Sequence, residues 1–376
     1  MIKTDTTNTE ECAALLAQLI GANTAQPAGN EAALCDFIEA RYKNEPALRV
    51  RRLEHGGCRA SLLIEAGPEN TPATVFLGHL DTVAAGPAAA WDGDPFEARF
   101  DGDTVFGRGA ADMKGGVAAM LLALDSLDAD ALKRRVVFGF TADEENGGLG
   151  ARTLADSGAL DGASEFFVCE PSSGALGLCE KGALWLRLTA QGRSCHASRP
   201  ALGDNAAEKL IGLIDAVRAA AAGQTHVLLG GSTVSLTGFH AGVMTNVVPP
   251  QAEATLDIRT VPALKNSALL ESIRAAAAGK ETEVEVLNDR PALESSADAP
   301  FVRRVRALAR EAELPAGDKG ICYYTDASLI LPRCPAPFVI FGPGDDAQCH
   351  TANERGSVRS VAQFAAIYRA YIERYC

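Results

Sequence analysis

Histidine and carboxylate side chains follow several apolar, strand-like segments of this sequence. His79 and Asp81 come directly after "ATVFLG", and Glu144 and Glu145 end "VVFGFTADEE". Residues two apart on a strand point to the same side, so His79 and Asp81 can act together. Three more residues of these types stand in comparable places: Asp112 in "GRGAADMKGG", Glu170 in "FFVCEP" and His350 in "FGPGDDAQCH". Ligands of open α/β sheets bind beyond the carboxyl ends of the strands, which is where these side chains are expected.

The chemistry open to this set of residues is that of a divalent metal ion. Two imidazoles and several carboxylates, without cysteine, suit zinc or a similar cation. With one carboxylate bridging, the set can bind two ions, an arrangement that activates water and stabilises an oxyanion. In the Glu144–Glu145 pair, one carboxylate can bind metal while the other serves as general base.

Each of these residues, taken alone, also has a structural explanation. The His-x-Asp pair can be a hydrogen-bonded loop entry, and the Glu-Glu pair can be a solvated turn. Asp112 can cap the helix that follows it. Glu170 can simply end a strand before proline, and His350 can lie in a surface loop. The residues alone leave these alternatives open; their shared position at strand ends favours a common site.

The elements that must position these residues follow from hydrophobic periodicity. Apolar residues at helical spacing predict helices over 10–22, 30–44 and 115–127. Strands are predicted at "ASLLIEA", "ATVFLGHL", "RRVVFGFTAD" and "EFFVCEP". The order of strand, helix and strand predicts an α/β fold with a mainly parallel sheet that is buried on both faces.

A second domain is expected because 376 residues exceed the usual size of a single core. From 183 to about 290 the pattern reads β-α-β-β-α-β, the ferredoxin-like arrangement. A helix, a strand and a long helix after residue 300 then resume the first pattern. We therefore predict one α/β domain from residues 1–181 and 295–376, with a smaller domain, 182–294, inserted into it.

The composition narrows the class of protein and its partners. Acidic residues outnumber basic ones, 48 against 35, which argues against nucleic acid or an anionic membrane as partner. The N-terminal segment "MIKTDTTNTEEC" lacks the apolar core of a signal peptide. Ten cysteines are scattered without a C-x-x-C pair and are interpreted as reduced thiols. These features predict a cytoplasmic protein.

Motifs along essentially the whole chain resemble one family. They are, in order, "GHLDTV", "GRGAADMKGG", "TADEENGGLGA", "CEP", "GRSCHASRP", "NVVPP", "DIR" and "FGPGDDAQCHTANE". The family is that of the di-zinc amidohydrolases, which contains acetylornithine deacetylase, succinyl-diaminopimelate desuccinylase, aminoacylase and glutamate carboxypeptidase. The resemblance implies a zinc-exopeptidase-like catalytic domain with an inserted lid or dimerisation domain, and hence a homodimer.

The resemblance also implies a pair of metal sites. Asp112 would bridge two divalent ions, zinc in the first place and cobalt as an alternative. His79 and Glu170 would complete one site, and Glu145 and His350 would complete the other.

Further roles are implied for residues around the metals. Glu144 would be the general base that takes a proton from metal-bound water and delivers it to the leaving amine. Asp81 would hydrogen-bond the His79 ring and fix its tautomer. His196, in "SCHAS", would reach across a dimer interface to the developing oxyanion; the residues alone equally allow an ordinary loop histidine.

Two residues, Arg259 and Asn246, match positions that bind polar groups of the substrate, and the loop that contains Gly344 could bind the same substrate carboxylate. Arg259 suits a bidentate grip on a carboxylate, Gly344 could present a backbone N–H, and Asn246 stands in "TNVVPP". The structural alternatives are a surface ion pair for Arg259 and a turn for Asn246.

Asp326, in "CYYTDASLI", receives no role. Cys169 and Cys349 precede proposed ligands, and strand alternation predicts that they point away from the metals.

The favoured function is hydrolysis of the amide of a small N-acyl amino acid in amino-acid metabolism, of the acetylornithine deacetylase or succinyl-diaminopimelate desuccinylase type. Glu170 favours this branch, since relatives that cleave dipeptides and tripeptides tend to carry Asp there. The alternative is a carboxypeptidase or dipeptidase of the same family. A non-catalytic metal or amino-acid binding protein is the alternative from another class; its signature would be loss of a ligand or of Glu144, and neither is lost.

Overall fold

The protein is described here by a computed structural model that covers residues 7–376. The prediction that a signal peptide is absent concerns residues 1–12, and the first six of these lie outside the described residues. The chain forms two compact units. Unit 1 comprises the residues up to Leu178, Ser295–Lys319 and Thr325–Cys376, and unit 2 comprises Cys179–Glu294 and Gly320–Tyr324. No pattern in the sequence indicated that the short segment 320–324 belongs to the smaller unit.

The helices are α1 Thr7–Gly21, α2 Glu31–Tyr42, α3 Lys114–Asp125, α4 Leu149–Asp156, α5 Ala206–Ala221, α6 Asn266–Ala277, α7 Pro300–Glu311, α8 Ala327–Ile330 and α9 Val358–Tyr375. The strands are β1 Arg49–Gly56, β2 Arg59–Ala66, β3 Ala73–His79, β4 Arg99–Asp101, β5 Thr104–Phe106, β6 Arg135–Thr141, β7 Ala163–Pro171, β8 Leu176–Glu180, β9 Gly182–Gln191, β10 Thr225–His226, β11 Gly230–Gly231, β12 Thr233–Ala241, β13 Gln251–Thr260, β14 Thr282–Arg290, β15 Leu293–Glu294, β16 Asp318–Ile321, β17 Phe338–Gly342 and β18 Arg355–Ser357. None of the helices in this described part is long and apolar enough to cross a bilayer.

The central sheet of unit 1 is mainly parallel, which confirms the predicted fold class. Its strands follow the order β1-β2-β6-β3-β7-β17-β8. The four middle strands pair in parallel, whereas β2 and β8 pair antiparallel with their inner neighbours. Every residue of β3 is buried. Because successive side chains point to opposite faces, both faces of this strand are covered, and an unbroken apolar run is what such a position requires.

Aromatic side chains pack closely in the middle of this sheet. The ring of Phe76 on β3 stacks on Phe138 of β6 and Phe167 of β7, with centroids 5.0 and 4.6 Å away. Each fully buried aromatic contributes about 1.5–3 kcal/mol to folding. Helix α3, in which every residue from Lys114 to Leu124 is buried, packs on β3 and β7. The strand ends that carry the chemistry therefore extend from a closely packed core.

Unit 2 has a four-stranded antiparallel sheet in the order β12-β13-β9-β14. Helices α5 and α6 pack on one face, where leucines of β9 and alternate residues of β13 form the core. Burial alternates along β13, as expected for a sheet covered on one side. The predicted β-α-β-β-α-β insertion is confirmed, and the short hairpin β10–β11 is an addition that the sequence did not indicate.

Candidate metal centre

Five side chains that were predicted as metal ligands converge at one edge of the unit 1 sheet. His79 is the last residue of β3, and Glu170 lies next to the end of β7. Glu145 follows β6, Asp112 stands in the turn before α3, and His350 stands in the loop after β17. Because β3, β6, β7 and β17 run parallel, their carboxyl ends meet at the same edge.

Asp112 lies between the two histidines. Its Oδ1 is 3.0 Å from Nε2 of His79, and its Oδ2 is 3.3 Å from Nε2 of His350. An oxygen of Glu170 lies 3.4 Å from His79 Nε2, and one of Glu145 lies 3.0 Å from His350 Nε2. One carboxylate thus faces two separate groups, each made of one imidazole and one further carboxylate.

This donor set fits a divalent cation. The Nδ1 of His79 faces the main-chain oxygen of Asp81 at 2.9 Å, and a carbonyl only accepts, so Nδ1 donates. In the neutral ring, Nε2 then directs a lone pair at two carboxylates, an arrangement that needs a cation or a proton. Ligand atoms of His79, Asp112 and Glu145 all lie within 4.8 Å of one another. Imidazole nitrogen and carboxylate oxygen are ligands of zinc and similar ions.

In the chain without metal, protons balance the charge of this cluster. Burial alone would lower the pKa of His79, but the charges of Glu170 and Asp112 hold it well above its usual value. Hydrogen bonds to Asp112 and Glu145 raise the pKa of His350 to about 10. Burial would raise the pKa of Asp112, yet the two histidines hold it below its usual value. Metal must displace these protons, so its affinity should fall as the pH falls.

Glu144 lies beside the cluster in a setting that suits a proton carrier. It is 6% exposed, and its Oε1 has no hydrogen-bond partner among residues 7–376. Burial raises its pKa well above the usual value, and the charges of Asp326, Glu145 and Glu170 act in the same direction. Asp326, which received no role from the sequence, accepts a hydrogen bond from Thr141 at 2.5 Å. A base with a raised pKa can both take and return a proton near neutral pH.

The structure changes the contact expected of Asp81. The His79 ring donates to its main-chain oxygen, whereas the nearest carboxylate oxygen is 3.7 Å from Nδ1. The carboxylate accepts instead from the backbone N–H groups of Glu144 and Glu145, at 3.0 and 3.1 Å. Gln26 donates to the same carboxylate at 2.8 Å. The main-chain oxygen of Asp81 therefore orients the His79 ring. The two carboxylate oxygens of Asp81 are instead engaged by the turn that carries Glu144 and Glu145.

Sequence reasoning missed Glu354, which holds the turn that carries Asp112. Its fully buried carboxylate accepts from the backbone N–H groups of Gly109, Ala111 and Asp112 at 2.8–3.0 Å. Arg108 donates to it at 2.7 Å. The only sequence signal was its place in "HTANE", four residues after His350. One carboxylate therefore ties the loop of His350 to the turn of Asp112.

The two cysteines beside predicted ligands differ. Cys169 is buried next to Tyr368, as strand alternation predicts, and burial raises the pKa of its thiol to about 12. Cys349 follows a short 3-10 turn rather than a strand, so alternation does not apply to it. Its thiol lies against Asp112; burial together with that negative charge holds its pKa far above the usual value. The expectation that Cys349 points away from the cluster is therefore wrong.

Three residues of unit 2, His196, Asn246 and Arg259, were predicted to contact the substrate. His196 is exposed, and its Nδ1 accepts from the backbone and side chain of Ser198. Asn246 lies in the neighbouring segment, where its main-chain oxygen accepts from Ala197 at 2.9 Å. Arg259 makes a bidentate pair with Asp257 at 2.8 and 3.0 Å, so its guanidinium already holds a carboxylate of the protein.

Gly344, the predicted substrate residue of unit 1, lies in the loop after β17. Its φ of 103° is in the region that favours glycine, and an added Cβ would lie 3.3 Å from Pro171 and 3.4 Å from Ala111. This position therefore suits glycine both in conformation and in space.

Comparison with known proteins assigns the chain to a family. The model of peptidase family M20/M25/M40 matches residues 75–374. The chain belongs to this family. It is therefore a metal-dependent hydrolase of amide bonds, as the sequence predicted.

Two curated relatives cover most of the M20 chain. A protein of Staphylococcus epidermidis named probable succinyl-diaminopimelate desuccinylase is 28% identical over 357 residues, covering 84% of this chain and 87% of its own. The N-acetyl-L-citrulline deacetylase of Xanthomonas campestris is 30% identical over 339 residues, covering 86% of each chain.

Solved structures share the fold at lower identity. The M20 family metallo-carboxypeptidase of Sulfolobus solfataricus superposes with a TM-score of 0.78 at 17% identity, over 97% of this chain and 99% of its own. A dinuclear metal-binding peptidase of the M20 family from Bacillus subtilis gives 0.70 at 17%, over 98% and 99%. These likenesses confirm the fold class and do not select a substrate.

Proposed function

We propose that this M20 hydrolase cleaves the amide bond of a small N-acyl amino acid with the help of two divalent cations, zinc in the first place. The observation that carries the proposal is the place of Asp112 between His79 and His350. The names of the two curated relatives, a desuccinylase and a deacetylase, support an acylated amino acid rather than a longer peptide. A cytoplasmic location stays a prediction.

Bound cations would supply a Lewis acid and lower the pKa of water. The residues of the chain divide the remaining work. Glu144 takes the proton of the attacking water and returns it to the leaving amine, a role that its raised pKa and position beside the ligands support. Asp81 holds the Glu144–Glu145 turn, and Glu354 holds Asp112. His196, Asn246, Arg259 and Gly344 are proposed to contact the substrate.

A substrate panel tests the proposal. Enzyme reconstituted with zinc, and separately with cobalt, should be assayed on N-acetyl amino acids, N-succinyl amino acids and dipeptides. We expect the highest kcat/KM on one of the acylated amino acids. Preference for dipeptides or for a C-terminal residue would select the alternative, a dipeptidase or carboxypeptidase. Absence of turnover on every N-acyl amino acid would reject the proposal.

Assembly into a homodimer through unit 2 is part of the proposal. Strand β12 lies at the edge of its sheet, and Leu236 and Phe239 on it are 42% and 36% exposed. Val243 and Met244 follow, at 92% and 63% exposed. An open strand edge with apolar side chains is suited to pairing with a second copy. Light scattering should show a dimer, and Leu236→Glu with Phe239→Glu should give a monomer; a monomeric parent protein would exclude this interface.

A further inference from the structure

An arginine that the sequence did not single out lies behind the turn that carries the two glutamates of unit 1. Arg59 is the first residue of β2, and its side chain is 16% exposed. Its Nη1 pairs with the carboxylate of Asp143, the residue directly before Glu144. Its Nη2 donates to Oε1 of Gln26 at 2.6 Å and to the main-chain oxygen of Pro27 at 2.9 Å. The guanidinium therefore joins the loop of Gln26 to the turn after β6.

One path from Arg59 to the glutamates runs through Gln26. Because Oε1 of Gln26 accepts from Arg59, the amide nitrogen is left to donate to Oδ2 of Asp81, which it does at 2.8 Å. The same carboxylate accepts the backbone N–H groups of Glu144 and Glu145. Arg59 thus fixes the amide that supports Asp81, and Asp81 in turn holds the backbone of both glutamates.

The other path runs through Asp143, whose backbone conformation is unfavourable for a residue with a side chain. Its φ is 68°, and such a conformation costs about 1 kcal/mol or more and persists only where its surroundings hold it. Arg59 holds its carboxylate, and Glu31 accepts its backbone N–H at 3.2 Å. Its second carboxylate oxygen accepts from the N–H of Leu149, which begins α4, at 3.3 Å. These contacts set the direction in which the chain enters Glu144.

Arg59 also balances the charge of this region. Glu31 and Asp81 are fully buried, and Asp143 is 7% exposed. An oxygen of Glu31 lies 3.5 Å from Nη1 of Arg59, so the guanidinium contacts two of the three carboxylates directly. Removing one partner of a buried charge pair is strongly destabilising, and a change at Arg59 should therefore be felt by the whole turn.

The two glutamates of the turn depend on this support to different degrees. The carboxylate of Glu145 is also held by Nε2 of His350, at 3.0 Å. Oε1 of Glu144, in contrast, has no hydrogen-bond partner within the described part of the chain. The position of the Glu144 carboxylate therefore depends on its own backbone, which is where the two paths from Arg59 end.

We propose that Arg59 is a positioning residue for Glu144. The proposal rests on the proposed function, in which Glu144 carries the proton. Within residues 7–376, Arg59 makes no hydrogen bond or ion pair with the five ligand side chains. Its loss should therefore displace the proton carrier and leave the metal ligands in place.

Kinetics of the metal-loaded enzyme test the proposal. A catalytic group that is displaced by about 1 Å can cost about 10²-fold, so Arg59→Met should lower kcat about 10–100-fold with KM changed about two-fold or less. Metal content, measured by elemental analysis, should match that of the wild type. Arg52→Met is the matched control, because Arg52 on β1 is 21% exposed and pairs with three carboxylates, those of Asp36, Glu39 and Glu54. It should lower Tm without changing kcat.

Arg59→Lys separates the charge of Arg59 from the geometry of its fork. Lysine keeps the positive charge, but its ammonium cannot hold Asp143 and Gln26 in the fixed arrangement of a guanidinium. Tm should recover most of what Arg59→Met loses, whereas kcat should still lie about five-fold or more below the wild type. A purely structural role predicts instead that Tm and kcat recover together.

Hydrogen exchange of the full-length, metal-loaded protein follows the turn without turnover. The N–H groups of Glu144 and Glu145 are bonded to Asp81 and should exchange slowly in the wild type. Arg59→Met should speed exchange in the segment 142–148 about ten-fold or more, the effect of losing a charged hydrogen bond. Arg52→Met should leave exchange in this segment unchanged.

Three results would each overturn the proposal: a folded Arg59→Met with wild-type kcat, a fall in kcat that follows loss of metal, or unchanged exchange in the segment 142–148. If Arg59→Met does not fold, Arg59→Lys takes its place in both measurements, and recovery of kcat in step with Tm then counts against positioning. If the wild type cleaves no N-acyl amino acid, the proposed function fails. Hydrogen exchange still decides whether Arg59 holds the turn.

Discussion

The two units use their sheets in opposite ways. In unit 1 the middle strands are buried on both faces, and acidic and imidazole groups gather where those strands end. In unit 2 one sheet face is open, and guanidinium groups, an indole and a phenol ring lie across it. A sheet covered on both sides leaves only its strand ends for chemistry, whereas a sheet covered on one side offers a surface.

The two sites also differ in what fixes them. The ligand side chains of unit 1 are held by buried carboxylates that accept backbone N–H groups, as Glu354 and Asp81 do. In unit 2 the contacts are between side chains: the ring centroid of Tyr324 lies 5.7 Å from Cζ of Arg259 and 4.9 Å from Cζ of Arg290. Changes in unit 1 should therefore affect metal retention or the chemical step, and changes in unit 2 should affect substrate selection with metal retained.

The largest effect is expected from Glu144→Gln. Removing the proton carrier should lower kcat by about 10²–10⁴-fold, while bound metal, measured by elemental analysis, stays the same. Glu373→Gln, at an exposed position on α9, is the control. Loss of metal along with activity would indicate that Glu144 is a metal ligand. It would contradict the proposal that Glu145 binds metal while Glu144 carries the proton.

The second largest effect is expected from Glu354→Gln. The amide would place an N–H group against backbone donors, so the turn that carries Asp112 should loosen and metal affinity should fall about 10–100-fold. Competition with a chelator measures this affinity, and Glu373→Gln again serves as control. An unchanged affinity would show that the turn keeps its shape without this carboxylate.

In unit 2, Arg259→Met should lower kcat/KM about ten-fold, a typical loss for a charged hydrogen bond. The pair of Arg259 with Asp257 uses Nε and Nη2, so Nη1 is the group proposed to donate to the substrate. Metal content should match that of the wild type. A fall in metal content would contradict the expected difference between the two units, because it would show that unit 2 also helps to retain the metal.

The smallest effect concerns stability and His55 on β1, at the edge of the unit 1 sheet. Burial lowers the pKa of His55, which contacts Ser61 at 2.8 Å. The folded state then binds fewer protons than the unfolded state, so this group's contribution to stability falls as the pH drops through the usual pKa of histidine, about 6.5. His55→Gln should show a smaller difference in urea-unfolding free energy between about pH 7.5 and about pH 5.5; an equal difference would contradict the assignment.

Much of the fold could be predicted from local pattern. Continuous apolar runs such as "ATVFLG" indicated β3, and alternation indicated β13, because side-chain direction has a period of two on a strand. Helix α4 follows a glycine-rich turn and is only eight residues long, so its pattern was too short to recognise. The hairpin β10–β11 and the segment 320–324 gave no periodic signal at all.

The sequence by itself determined the order of the elements and the residue types at the strand ends, since both follow from local spacing and from motifs. Only the tertiary structure decided which atoms meet. Glu145 and His350, 205 residues apart, face each other because β6 and β17 belong to one sheet and because His350 adopts a φ of 62°. The contact of Glu354 with the Asp112 turn and that of Asp257 with Arg259 likewise depend on loop conformation and strand register. Such contacts carry no periodic signal, because they join residues that are distant in the chain.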